Sequence, residues 1–333
     1  MPRVDSRAVM GRFSTPSRAV ITGLGMAIPE RRVANAELAE RLGIDEDWIV
    51  KRTGTGVRHW AQPDERLSDF AARAGKQALE RSGIPASDLG LILVATTTAD
   101  EMTPNAAPLV AGELGARAAA AIDVGAACTG WLAALALATG QIEAGRIQHA
   151  LVIGADFLSQ FLDLSDRATS VLFADGAGAA VISRDETGSG EGVGPIILRS
   201  DGAGAELIRL ERGGPIRMDG HETFRAAVDC LSAVTAEVLV EERLEARDID
   251  LYVYHQANSR ILRAVGERLK LPPDRVVDYV ARFANSSTAT LPIALSVAEG
   301  EGRLRAGDRV LLAAFGGGFT WGATVVRWAG SGR

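Results

Sequence analysis

Cysteine is scarce. Two residues, Cys128 and Cys230, in a chain of 333 are too few for a disulfide framework or a cysteine-rich zinc site. No His-x-x-x-His or Cys-x-x-Cys pair occurs, and no dense carboxylate cluster, so no metal ligand set is expected. Aromatic residues make up 5%, which leaves Ala, Val, Leu and Ile to fill the core. Basic charge is not in excess. Thirty-six Lys and Arg against 42 Asp and Glu give a net charge of −6, which argues against a general nucleic-acid binder. The uncharged stretch from Val124 to Gly140 is short for a membrane span and carries Thr and Gly, so it reads as a buried helix. Met1 to Ser17 lacks the apolar segment of a signal peptide and reads as a disordered leader. A cytoplasmic protein in a reducing compartment is expected, with neither membrane nor nucleic acid as partner. Phosphate loops are missing as well. Gly23-Leu-Gly25-Met-Ala-Ile28 lacks the third glycine of the dinucleotide fingerprint, and no Gly-Lys-Ser/Thr loop exists.

What is present suits a globular chain of about two domains or one large one, with 47% hydrophobic and 23% charged residues. An internal repeat organises it. A helical pattern over Leu67–Ser82 leads into Ala86-Ser-Asp-Leu-Gly-Leu-Ile-Leu-Val-Ala95. A second over Thr223–Leu244 leads into Ala246-Arg-Asp-Ile-Asp-Leu-Tyr-Val-Tyr254, 160 residues later. His149-Ala-Leu-Val-Ile-Gly154 matches Arg309-Val-Leu-Leu-Ala-Ala314 at the same offset. Cys128-Thr-Gly-Trp-Leu aligns with Ser287-Thr-Ala-Thr-Leu. Each copy alternates strands and helices, which predicts mostly parallel sheets with helical cover. The apolar helices after Thr129 and Thr288 look buried on all sides and are expected between two stacked sheets, in a five-layer α/β/α/β/α arrangement. The expected halves are 18–184 and 185–333. The Gly-rich, charged stretch Asp185–His221 fits neither copy and is expected to form junction loops.

Four segments carry candidate chemistry. Cys128 stands where a strand gives way to an apolar helix, and a helix N-terminus favours a thiolate. Cys230 lies inside a helical pattern and reads as structural. His255 ends the strand Leu251-Tyr-Val-Tyr and opens a polar cluster, where α/β proteins place their sites. Asn285 precedes the second buried helix, and the repeat offset brings it beside Cys128. Gly316-Gly-Gly-Phe follows the last long strand and offers bare backbone N–H groups to an oxyanion. His59, His149 and His221 lack such context and read as surface or structural.

Together, Ala126-Ala-Cys128-Thr-Gly, His255-Gln-Ala-Asn258, Asn285-Ser-Ser-Thr-Ala-Thr-Leu-Pro and Phe315-Gly-Gly-Gly-Phe-Thr-Trp-Gly resemble β-ketoacyl-acyl carrier protein synthase III, a thiolase-like family. Asp47-Trp48-Ile-Val-Lys-Arg52-Thr-Gly and Phe173-Ala-Asp-Gly-Ala-Gly match it as well, and the likeness runs over about residues 18–328. The resemblance implies that Cys128 takes an acyl group from acyl-CoA as a thioester. It implies that His255 and Asn285 then bind a malonyl thioester on an acyl carrier protein and stabilise the enolate left by decarboxylation. The N–H groups of Cys128 and Gly317 would form the oxyanion hole. Trp48 and Arg167 would sandwich the CoA adenine, with Arg52, Gly220 and Asn258 along its channel. Arg225, Arg260, Arg263 and Arg268 would dock the carrier, helped by Lys270. The family acts as a homodimer, and the loop bearing Met102 and Thr103 would reach the acyl pocket of the partner. No tightly bound cofactor is implied; acyl-CoA is a substrate.

The sequence departs from the family pattern in three places. Ala284 replaces the usual Gly before the catalytic Asn, Thr103 replaces a frequent aromatic, and Glu267 replaces a base on the docking helix. The rival readings are a starter-loading or acyltransferase relative of specialised metabolism and a Cys-His-Asn thioester hydrolase. A thiolase would need a second cysteine near the C-terminus, and there is none.

Overall fold

The computed structural model describes residues 18–186, 188 and 192–330; the expected leader lies outside them. Two five-stranded sheets are stacked face to face with helices between and outside. The first sheet runs in the order Ala19–Ala27, Asp175–Arg184, His149–Phe157, Leu91–Ala95, Ala120–Val124. The second runs Leu251–Tyr254, Arg309–Gly316, Thr320–Arg327, Gly192–Val193, with Ile197–Ser200 also paired to Thr320–Arg327. Matching elements recur in matching order in the two halves. A 3-10 turn leads into the strand at both Ala86–Asp88 and Ala246–Asp248. Another leads into the central helix at both Ala127–Thr129 and Ser287–Ala289.

The layers follow from period-two side-chain alternation. Leu91, Leu93 and Ala95 face a central core, while Ile92 and Val94 face an outer one. In the second sheet Leu251, Val253, Val310 and Leu312 join the same central core, and Tyr252, Tyr254, Leu311 and Phe315 face the opposite outer core. Helices Gly130–Glu143 and Thr290–Gly300 fill the middle. Leu67–Ser82 and Ala106–Glu113 cover one outer face; Gly220–Glu241 and Ser259–Leu269 cover the other. Among these layers the approach is tight. A Cβ on Gly154 would stand 2.3 Å from the Thr288 carbonyl oxygen, so only glycine lets this strand meet the second central helix.

Three expectations need correction. The sheets are mixed, not mostly parallel. Leu91–Ala95 pairs parallel with both neighbours, but Asp175–Arg184 is antiparallel to both of its own, and Arg309–Gly316 and Thr320–Arg327 form an antiparallel hairpin. Three residues separate those last strands, too few for a parallel crossover. Helix Thr290–Gly300 is buried all round through Ala298, but Gly130–Glu143 leaves Leu137 53% exposed on an open stripe. The stretch Asp185–His221 is more than loops. It adds two strands to the second sheet and a hairpin, Ile208–Leu210 with Ile216–Met218, that walls the site.

Candidate active site

The first turns of the two central helices abut. Cys128 lies in the turn Ala127–Thr129 and its repeat counterpart Ser287 in Ser287–Ala289, after or at a left-handed residue in each case: Ala127 at φ 44° and Ser287 at φ 50°. The Ser287 hydroxyl donates to Cys128 Sγ at 3.4 Å. From the other side comes the glycine hairpin. A Cβ on Gly316 would stand 2.7 Å from the Cys128 nitrogen, which explains a glycine there through close approach; of the three glycines only Gly318 has a positive φ.

His255 continues the strand Leu251–Tyr254 into this space and is 3% exposed. Its Nδ1 lies 2.6 Å from Thr290 Oγ1. Burial lowers its pKa to about 3, so the ring is neutral at physiological pH. Asn285 is held by its backbone: its N–H donates to Leu172 O at 3.0 Å, and its carbonyl accepts from Ala174 N–H at 2.8 Å. Its side-chain oxygen accepts the Ser287 N–H at 2.9 Å. The carboxamide oxygen is thereby committed, and the NH2 is the donor left for a ligand.

The thiol itself differs from expectation. Burial pushes the Cys128 thiol up to about 11, and the charge of Asp156 pushes the same way. The Ser287 hydroxyl and the N–H groups of Cys128 and Gly317 oppose this without reversing it. The helix N-terminus was expected to give a thiolate, but desolvation of the sulfur outweighs the local donors. Cys230 is half-buried, and burial raises its thiol too, as suits a structural cysteine.

Cys128, His255 and Asn285 share one cavity of about 1180 Å³ with Gly317. Trp48, Arg52, Arg167, Gly220 and Asn258 also line it. The guanidinium of Arg167 lies 5.5 Å from the Trp48 ring centre and that of Arg52 5.7 Å away, so the indole already lies among cations. Asn258 is engaged within the protein. Its side chain caps the helix Ser259–Leu269 through Arg260 N–H and donates to Arg52 O. Met102 borders the cavity and is 76% exposed; Thr103 does not line it. Arg260 lies over the Phe224 ring at the cavity, and Arg263 is exposed. The charges of Arg225 and Arg268 are partly spent, the first on Glu222 at 3.4 Å and the second on Asp229. His59 and His149 bond to Pro29 O and Ser183 Oγ, as structural histidines do, whereas His221 borders the cavity.

Known proteins resemble this chain in sequence and in fold. The model of the 3-oxoacyl-[acyl-carrier-protein] synthase III C-terminal region matches residues 239–328, and the model named for the synthase itself matches 122–202. A β-ketoacyl-[acyl-carrier-protein] synthase III of Sphingopyxis alaskensis is 46% identical, across 93% of this chain and 99% of its own. The chain belongs to the 3-oxoacyl-[acyl-carrier-protein] synthase III family. It is an acyltransferase of that family, with the thiolase-like fold. The synthase III structure from Aquifex aeolicus superposes with a TM-score of 0.91 at 37% identity, covering 93% of this chain and all of its own. A priming β-ketosynthase of the R1128 polyketide pathway superposes at 0.90 with 31% identity, covering 96% and 99%.

Against the synthase III pattern, Ala284 is informative. It is buried, at φ 54° and ψ −152°, a region that glycine adopts freely and that costs an alanine about 1–3 kcal/mol. Motif reading missed Thr290 against His255, Asp156 behind the site and the Ser287 hydroxyl on the sulfur. The alignment of Cys128 with Ser287 held the signal for the last, since pseudo-symmetric counterparts of a duplicated fold meet near its axis.

The buried His255 should stay neutral on titration from pH 8 to pH 4, read by NMR of the imidazole. Its folded pKa lies below the unfolded 6.5, so the unfolded chain binds the proton first. Its contribution to stability is therefore full above pH 6.5 and falls as pH drops from there toward 3. A midpoint near 6.5 in the folded protein would contradict the enclosed site.

Proposed function

We propose that this synthase III joins an acyl-CoA starter to malonyl-acyl carrier protein by decarboxylative Claisen condensation, through an acyl-Cys128 intermediate. The observation that carries this reading is the meeting of a half-buried cysteine, a neutral imidazole and an oriented carboxamide at one cavity. In the first half-reaction the Cys128 sulfur attacks the thioester carbonyl. The C–S bond to Cys128 forms, the C–S bond to CoA breaks, and the proton lost by Cys128 ends on the CoA sulfur. The N–H groups of Cys128 and Gly317 hold the oxyanion.

In the second half-reaction the malonyl C–CO2 bond breaks and its electron pair enters the enolate. His255 and the Asn285 NH2 hold the enolate oxygen; the neutral ring donates from Nε2, its Nδ1 taking the proton of the Thr290 hydroxyl. The enolate carbon then attacks the acyl group, and the Cys128 sulfur leaves with the bonding pair and recovers a proton. No tightly bound cofactor enters these steps. Trp48 and Arg167 part to admit the adenine, and Arg52, Gly220 and Asn258 flank the rest of CoA. Arg260 and Arg263 meet the acidic carrier, with Arg225 and Arg268 as lesser contributors because of their acidic neighbours. Arg260→Glu should raise the KM for the carrier and leave that for acyl-CoA, while Trp48→Ala should do the reverse. Equal shifts for both substrates would undo these assignments.

We also infer a cytoplasmic homodimer. Ala120–Val124 is an edge strand with Ile122 52% exposed, and Leu137 and Met102 are exposed as well. Met102 and Thr103 would then shape the acyl pocket of the partner, and Thr103 leaves room for starters bulkier than acetyl. A monomer in sedimentation equilibrium would exclude this arrangement. The likeness to a priming ketosynthase supports a second reading, starter loading in specialised metabolism, which the preferred acyl-CoA would reveal.

The half-reactions separate by mutation. His255→Ala and Asn285→Ala should still acylate Cys128 but lose malonyl decarboxylation by about 10²–10³-fold each. The measurements are intact mass for the first step and CO2 release for the second. Near-normal CO2 release in both variants would refute the mechanism, and wild-type thioester that simply hydrolyses would favour the hydrolase.

A further inference from the structure

The condensation cycle makes the Cys128 sulfur anionic twice, once as it attacks acyl-CoA and once as it is expelled from the acyl-enzyme. The site is poor at holding that charge, because desolvation of the sulfur and the charge of Asp156 both oppose it. We propose that Ser287 is a fourth catalytic residue, whose hydroxyl donates to Cys128 Sγ and stabilises the thiolate in both half-reactions. The proposal rests on the synthase reading above for its two half-reactions; the hydrogen bond itself does not.

Ser287 touches the whole constellation, and it divides its groups among the partners. Its N–H orients the Asn285 carboxamide at 2.9 Å. The Thr290 hydroxyl oxygen lies 3.0 Å from its carbonyl and 2.6 Å from His255 Nδ1, and in the tautomer with the ring proton on Nε2 that hydroxyl donates to Nδ1. The backbone therefore does the positioning. The side chain is left for the sulfur, and among the described residues Cys128 Sγ is the hydroxyl's hydrogen-bond partner. Ser287 is 3% exposed, so little water competes for that bond. Its φ of 50° would be unstrained for glycine, yet a residue with a side chain stands there. A strained serine makes sense where its hydroxyl is used.

The bond accounts for the proton and electron balance of each step. On attack, the pair on sulfur forms the new C–S bond, the CoA sulfur leaves with its own pair, and the proton from Cys128 passes to it. On release, the sulfur regains the pair of the breaking C–S bond. Ser287 keeps its own proton throughout and serves as a donor. The titratable groups around the sulfur are Asp156, whose charge opposes the thiolate, and His255, which burial keeps neutral.

A hydrogen bond to a charged group moves a pKa by roughly one unit or more. Losing it cuts the thiolate about tenfold, and the greater basicity of what remains restores about threefold through nucleophilicity. Ser287→Ala keeps the backbone contacts and removes the hydroxyl. Ser287→Gly does the same while relieving the φ strain, and so serves if the alanine variant folds poorly. Alkylation of Cys128 by iodoacetamide, followed by mass spectrometry from pH 7 upward, should be three- to tenfold slower in both variants below the midpoint. The midpoint itself should rise by about one pH unit. Acylation and acyl transfer to the malonyl carbon should both slow, unlike the His255 and Asn285 variants, which spare acylation. An unchanged alkylation profile in both folded variants would overturn the proposal. Alkylation needs no acyl donor, so a wild type that alkylates but never acylates would refute the synthase reading and leave the Ser287 result standing.

Discussion

The buried carboxylate of Asp156 holds the two halves of this enzyme in register. It is fully enclosed, at 0% exposure, where an unpartnered charge would cost several kcal/mol. Six donors offset that cost. Oδ1 accepts the Thr97 N–H and the hydroxyls of Thr96, Thr97 and Thr98, all on the cavity wall of the N-terminal half. Oδ2 accepts the N–H and hydroxyl of Thr288, in the first turn of the C-terminal central helix. One side chain thus joins the wall of the cavity to the turn that carries Ser287. Its neighbours Gly154 and Thr288 can approach because no Cβ intervenes.

That tie has a consequence for the chemistry. The negative charge that aligns the halves also opposes a Cys128 thiolate, and enclosure opposes it further. The site answers with oriented dipoles: two backbone N–H groups and the Ser287 hydroxyl at the sulfur. The same burial keeps His255 neutral, and the Ser287 N–H fixes which end of the Asn285 carboxamide faces the cavity. Geometry and desolvation therefore set the protonation states together, and a thiol that resists ionisation is the cost of a tightly packed, well-aligned site.

Much of this was legible in the amino-acid order. The repeat revealed the duplicated fold, because Leu91–Ala95 and Leu251–Tyr254 follow the same short turn at a constant offset. Cys128, His255, Asn285 and Gly317 could be found because each stands at the end of a buried element, where apolar pattern gives way to small or polar residues. Strand direction was legible only at the last hairpin, whose three-residue link is too short for a parallel crossover; elsewhere a continuous apolar run looks the same either way round. The open stripe at Leu137 escaped notice because Ala and Leu on that face read as core. The sign of the Cys128 shift depends on how fully the sulfur is enclosed, which three-dimensional packing decides. Ion pairs such as Arg268 with Asp229 join separate helices, so the helix Ser259–Leu269 looked more positive in sequence than it is.

The most direct test follows Cys128 through one turnover by mass spectrometry. The protein is incubated with an acyl-CoA, digested and mapped, then given malonyl-acyl carrier protein. The account predicts an acyl mass on the Cys128 peptide and none on the Cys230 peptide. That mass should then leave as a 3-oxoacyl-carrier product, with one CO2 released for each acyl group lost. Acylation that persists in Cys128→Ala, or an acyl-Cys128 that ignores the malonyl donor, would contradict it.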